Sequence, residues 1–135
     1  MSFESFAHVS LTPEVLAHIW EGEPSDLRKG GHRFGLGREG KTEFPEDWDI
    51  HVVAAAVRST LDRPQTIFLN SQKPACGRIV GQVFVRVQLV ATKSGLYVRT
   101  AFPVCGVGVI RNVRGKLVAM PLDYRRLEDY HGVHE

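Results

Sequence analysis

Two histidines, His18 and His32, lie fourteen positions apart in the stretch HIWEGEPSDLRKGGHRFGLGREGKTEF. Imidazole is the side chain that takes or gives a proton near neutral pH. Around the second histidine stand Arg28, Lys29, Arg33, Arg38 and Lys41, against the single acid Glu39. Two imidazoles in a basic loop suit acid–base chemistry on a phosphate. Taken singly, each has a plainer role: His18 as a satisfied helix residue, His32 as an exposed loop residue. A third element joins them at Val98–Pro103, where Thr100 and Phe102 lie two residues apart on one face of a strand. A hydroxyl there can bond a base edge while the ring stacks on the base.

Two helices must carry the first part of this arrangement. Thr12-Pro13-Glu14 starts one, with an N-cap hydroxyl and proline at the first helical position. It is predicted to run to about Trp20 and stop near Gly22, with His18 beside the apolar face of Val15, Leu16 and Ile19. Pro45 and Asp49 announce the second, in which Ile50, Val53, Ala54, Val57 and Leu61 recur at helical spacing until Asp62-Arg63-Pro64. Residues 21–44 between them are too polar and glycine-rich for core. The loop should therefore contribute little to packing, and His32→Ala should leave the fold intact.

After Pro64 the period becomes two. Thr66–Leu69 reads as a short strand, Asn70–Gly77 as a loop and Arg78–Val90 as one strand. Leu96–Phe102 returns after the turn at Thr92–Gly95 and is closed by Pro103. Gly106–Arg111 and Lys116–Met120 make a further hairpin around Asn112–Gly115, before a polar tail at 121–135. The expectation is an α+β domain spanning 1–135, N-terminal helices followed by an antiparallel β-sheet.

Composition narrows the function. A net charge of +2 excludes a chain that is basic throughout. A basic stretch at 28–41 beside Glu43, Glu46, Asp47 and Asp49 fits a focused anion site. No stretch has the roughly 18 apolar residues of a membrane span, and the first residues lack a signal-peptide pattern. Cys76 and Cys105 read as buried free thiols, which suits action in a reducing cytoplasm. No acidic cluster has metal-cage spacing; His131 and His134 form a tail H-x-x-H without an evident partner. His51 reads as structural, and Trp20 and Trp48 as core. Gly35–Thr42 fits the phosphate loop G-x-x-x-x-G-K-[ST]. It lacks the preceding strand and following helix that this loop needs, although its glycines can still offer N–H groups to a phosphate.

Together the motifs resemble the bacterial EndoU nucleases, relatives of the coronavirus and animal uridylate-specific endoribonucleases. His18-Ile19-x-x-Gly22-Glu23 resembles the first histidine motif and Gly30-Gly31-His32 the second. Gly40-Lys41-Thr42-Glu43-Phe44-Pro45 with Trp48 resembles the bacterial GKTEFP…W motif. Thr100-Ala101-Phe102-Pro103 resembles the terminal T-x-Y-P, with phenylalanine where the family commonly has tyrosine. The motifs fall within 16–103.

The resemblance implies an endoribonuclease that cleaves single-stranded RNA or tRNA through its own 2′-hydroxyl, leaving 2′,3′-cyclic phosphate and 5′-hydroxyl ends. His32 would be the base, His18 the acid, and Lys41 the cation, with Lys73 as the alternative. Thr100 would join the catalytic set, while Arg33 and Phe102 would touch the substrate. No metal or other cofactor is required, though some relatives respond to manganese. Bacterial members serve as toxin domains at the ends of larger secreted proteins, which implies an immunity protein as a second partner. The rival from another class is a non-catalytic RNA- or partner-binding domain on the same fold. Histidines meeting in one cleft favour the enzyme, and histidines facing apart the binder.

Overall fold

Thr12 caps the first helix, α1 (Pro13–Glu21), by accepting the Val15 N–H at 3.2 Å, and Gly22 ends it at φ +79°. The computed structural model describes residues 6–69 and 73–124. The last carbonyls of a helix have no partner within it. Here those of His18, Ile19 and Trp20 accept the N–H groups of Gly31, His32 and Arg33 at 3.1, 2.8 and 3.1 Å. The segment carrying the second histidine is thereby bonded to the helix carrying the first. It leads into a two-residue strand, β1 (Thr42–Glu43). Asp49 then caps α2 (Ile50–Asp62), which buries Val53, Ala56, Val57, Thr60 and Leu61.

Six more strands follow: β2 (Thr66–Phe68), β3 (Ala75–Val80), β4 (Val83–Thr92), β5 (Gly95–Gly106), β6 (Ile110–Val113) and β7 (Lys116–Ala119). They form two antiparallel sheets, ordered β2-β3-β4-β5 and β1-β6-β7. The class is α+β, with helices preceding most of the sheet, as expected.

Several boundaries differ from the expectation. β1 lies inside the predicted loop 21–44, and the strand predicted over Gly106–Arg111 runs instead over Ile110–Val113. Three further differences concern β3, β4 and β5. The strand predicted over Arg78–Val90 is broken at Gly81-Gln82, whose φ values of 54° and 64° make the tight turn between β3 and β4. Valines on both sides kept the alternation unbroken, and Gln82 takes a left-handed conformation that its residue type does not advertise. Second, β3 already begins at Ala75, inside the predicted loop. Third, Pro103 does not close β5. It lies at the sheet edge, beside a register slip that pairs Phe84 with Cys105 and Val85 with Pro103. Edge positions and bulges are where a strand tolerates the missing N–H.

The main core lies between the helices and one face of the larger sheet: Ile19, Phe44, Val53, Val57, Leu61, Val85, Val87 and Leu89 are fully buried. Trp20 and Trp48 pack against it. The second face of β4 is buried too. Phe84 joins Phe102, Val104 and Cys105 in a smaller cluster, while Arg86 bonds Gln88 at 2.8 Å and lies 4.1 Å over the Phe68 ring. Cys76 and Cys105 are buried free thiols, and burial pushes the Cys76 pKa up to about 12. His131 and His134 lie outside the described residues. Among the described residues no helix is long and apolar enough to cross a membrane.

Candidate active site

His18 stands in the last turn of α1, and Gly30 crosses directly over it. A Cβ at Gly30 would lie 2.2 Å from the His18 carbonyl oxygen and 2.9 Å from its Nε2; with φ at +67°, glycine alone fits. The His18 Nδ1–H donates to Glu23 Oε2 at 2.7 Å, leaving Nε2 as the nitrogen that can exchange a proton. The loop between is pegged by Arg38, which donates to the carbonyls of Glu23, Asp26 and Lys29 at 3.0, 3.3 and 3.0 Å. A Cβ at Gly22 or Gly31 would strike this guanidinium.

His32 is fully buried. Its N–H donates to the Ile19 carbonyl and its own carbonyl accepts the Phe44 N–H. Its Nδ1 lies 2.7 Å from the Thr42 carbonyl oxygen. A carbonyl can only accept, so Nδ1 carries the hydrogen and Nε2 the lone pair. That Nε2 is buried with no hydrogen-bond partner. The Phe102 ring stacks on the imidazole with centroids 5.5 Å apart and planes 25° from parallel. Burial drives the His32 pKa down to about 3; Lys41, His18 and Arg38 push the same way, and the Thr42 carbonyl opposes them.

A cavity of about 570 Å³ opens over these elements, lined by His18, Glu23, Arg28, Lys29, Gly30, Glu39, Gly40, Lys41, Arg99 and Thr100. Lys41 is 6% exposed, and burial, helped by Arg38 and Arg99, lowers its pKa to about 8 against the attraction of Asp26. The Thr100 hydroxyl is buried and without a partner. Four cations thus face two carboxylates, of which Glu23 is bonded to His18 and Glu39 to the Arg114 N–H. The balance favours an anion.

The expected residues divide accordingly. His18, Lys41 and Thr100 share one cavity. His32 is not among its lining residues. Phe102, expected to stack on a base, is 1% exposed and has its ring against His32 instead. Arg33, expected to touch substrate, pairs with Glu21 at 2.9 Å and does not line the cavity. Lys73 is exposed and also outside it, whereas Lys41 is inside. His51 is exposed on α2.

Two expectations for the loop are corrected. It contributes strongly to the interior: Gly30, Gly31, His32 and residues 41–45 are buried. Backbone hydrogen bonds and the one from His32 Nδ1–H to the Thr42 carbonyl tie these polar residues in, while His32 Nε2 and the Thr42 hydroxyl stay without a partner. The glycine N–H groups are also not offered to a ligand. Those of Gly35 and Gly37 donate to Glu43 Oε1 and Oε2, each at 2.8 Å, and Oε2 also accepts from Asn112 Nδ2 at 2.8 Å. The anion in this nest is the chain's own carboxylate.

Glu23, Arg38 and Arg99 are site residues that the sequence did not single out by role. Glu23 carried a signal as part of the first histidine motif, and Arg38 as one of the cations of the basic stretch. Among the described residues no group of three or more His, Cys, Asp or Glu could hold a metal ion. A second cavity of about 700 Å³, beside Phe34, Glu46, Asp47 and Trp48, is larger but has no histidine or cation on its walls. No protein-family model, no curated protein and no solved structure matches this chain.

Proposed function

We propose that the cavity is the active site of an endoribonuclease of EndoU type, cleaving single-stranded RNA or tRNA loops by 2′-hydroxyl transesterification. The observation that carries this reading is the gathering of His18, Lys41 and Thr100 on one cationic cavity. In this mechanism a base takes the 2′-hydroxyl proton and the 2′-oxygen attacks phosphorus. The resemblance gives the role of base to His32 Nε2, which the fold buries off the cavity lining, so the step requires the loop to open toward the substrate. The bond to the 5′-oxygen breaks, and His18 Nε2 protonates that leaving oxygen. Each such transfer is worth typically ~10²–10⁴-fold. Lys41 steadies the phosphorane charge, and the Thr100 hydroxyl bonds a base edge. Glu23 orients His18, the Thr42 carbonyl sets the His32 tautomer, and Phe102 holds the His32 ring.

Purified protein in EDTA should cut a uridine-containing RNA and leave cyclic phosphate and 5′-hydroxyl ends. Products with 3′-hydroxyls, or cleavage only with a divalent metal, would sink this mechanism. His18→Ala, His32→Asn and Lys41→Ala belong on the same gel; full activity in His32→Asn would overturn the assignment of the loop. A second reading, a non-catalytic RNA-binding domain, is favoured by the burial of His32 away from the cavity lining. It predicts RNA affinity without any cleavage.

The same reading extends to a toxin domain acting in the cytoplasm. It would be neutralised by an acidic immunity protein covering loop 28–41, where Arg28 and Lys29 are exposed. Harmless expression of active protein without a partner would count against this role.

A further inference from the structure

The hairpin of β6 and β7 lies outside the histidine, lysine and threonine motifs, yet it is bonded to the cavity rim. Gly40 N–H donates to the Asn112 carbonyl at 2.7 Å, and Asn112 N–H returns a bond to the Lys41 carbonyl at 3.0 Å. Arg111 Nε donates to the Gly40 carbonyl at 3.1 Å, and Arg114 N–H to Glu39 at 3.0 Å. Glu39, Gly40 and Lys41 all line the cavity. The hairpin tip is thus continuous with the wall that holds Lys41.

The tip carries two exposed cations, Arg114 and Lys116, that make no ion pair among the described residues. One of them sits where its residue type is a poor choice. Arg114 and Gly115 have φ values of 51° and 79°, a two-residue turn whose first position favours asparagine, aspartate or glycine. An arginine held in the left-handed region is a local strain that points to a use for its side chain.

We infer that this hairpin is a backbone-binding arm for single-stranded RNA, with Arg114 and Lys116 holding phosphates of nucleotides that lie beyond the cavity. The inference rests on the cavity being an RNA site and names what the enzyme selects: a strand longer than the cleaved step. Contacts of this kind fix the register of the chain and carry no sequence information. They should therefore raise affinity for long substrates whatever their sequence.

The test is binding, measured in the full chain carrying His18→Ala so that nothing is cut. Fluorescence anisotropy compares an RNA of about twenty nucleotides with a uridine dinucleotide across a salt series. Each phosphate contact to a single strand contributes about 0.7 to the slope of log affinity against log salt, so Arg114→Asn with Lys116→Ala should lower that slope by about 1.4. Affinity for the long RNA should fall roughly tenfold at low salt, with a change below about twofold for the dinucleotide. Asparagine suits the turn, so the variant should melt no lower than the parent, and Arg114→Lys should recover part of the loss. An unchanged slope, including the case where the hairpin binds an acidic protein instead, overturns the inference. An equal loss on both RNAs does so too, since it marks a distorted rim. Wild-type protein that binds long RNA through the hairpin but cuts nothing would sink the nuclease reading and leave the arm standing.

Discussion

His32 is an imidazole kept neutral by its surroundings, which ties stability to pH. In the unfolded chain it takes a proton near 6.5, and in the fold only near 3. Between those values the unfolded state binds more protons, so its contribution to stability is complete above about 6.5 and declines as pH falls. The slope is up to about 1.4 kcal/mol per pH unit. Urea unfolding from pH 7 to 4 should show this loss, and His32→Asn should flatten it. His32→Ala should cost roughly 2–4 kcal/mol, since it opens a cavity against Phe102 and orphans the Thr42 carbonyl. This reverses the expectation that the residue is dispensable for folding. If His18 and His32 are the acid and base of one step, as proposed, His18→Ala and His32→Asn should each remove most of the cleavage rate and together little more, because such a pair acts as a unit. Lys41 loses its proton near pH 8. The kcat/KM profile should therefore fall above about pH 8, and Lys41→Arg should move that limb upward, since guanidinium stays charged. An alkaline limb that does not move would remove Lys41 from the charge-bearing role.

The element that decides the site is the loop between α1 and β1, and its keystone is Glu43. One buried carboxylate satisfies two glycine N–H groups and the Asn112 amide. Glu43→Ala would take this acceptor from the buried Asn112 amide, at roughly 1–3 kcal/mol. It would also untie the Gly35 and Gly37 N–H groups, which water can reach. The expected result is a lower melting temperature with cleavage lost even where the protein remains folded. A variant that melts and cleaves like the parent would show the loop to be held by something else. The helices were legible in the sequence because their caps, Thr12 and Asp49, are local signals that the fold kept. The loop was not, because its order comes from tertiary partners: Arg38 reaching three carbonyls, Glu43 bonding back across the glycines. Glycine content says where a chain can turn, and not whether the turn is held. The same reason hid the Gly81-Gln82 turn and the passage of β5 through Pro103, where neighbouring strands overrode local preference.

At the scale of the molecule, class and order of elements followed from periodicity, whereas the preference for Lys41 over Lys73 came from the resemblance, which sets the lysine before the second helix. The covering of Arg86 and Gln88 did not, since alternation along β4 says nothing of what packs on its polar face. The two sheets also differ in how their strands find one another. In the larger sheet every strand pairs with its neighbour in sequence, and such local pairings close quickly. The smaller sheet joins β1 to β6, and Asn112 holds Lys41 across 71 residues. Closing so long a loop is slow, and little rewards it until both ends have arrived. Refolding should therefore run in two stages, with amide protection in the larger sheet recovered before RNA binding. During synthesis the order is the same. A ribosome that has released everything up to β5 has made a sheet and two helices, but the lysine has no strand to lean on. If the cavity cuts RNA as proposed, such a chain is harmless to the RNA around it until the β6–β7 hairpin emerges.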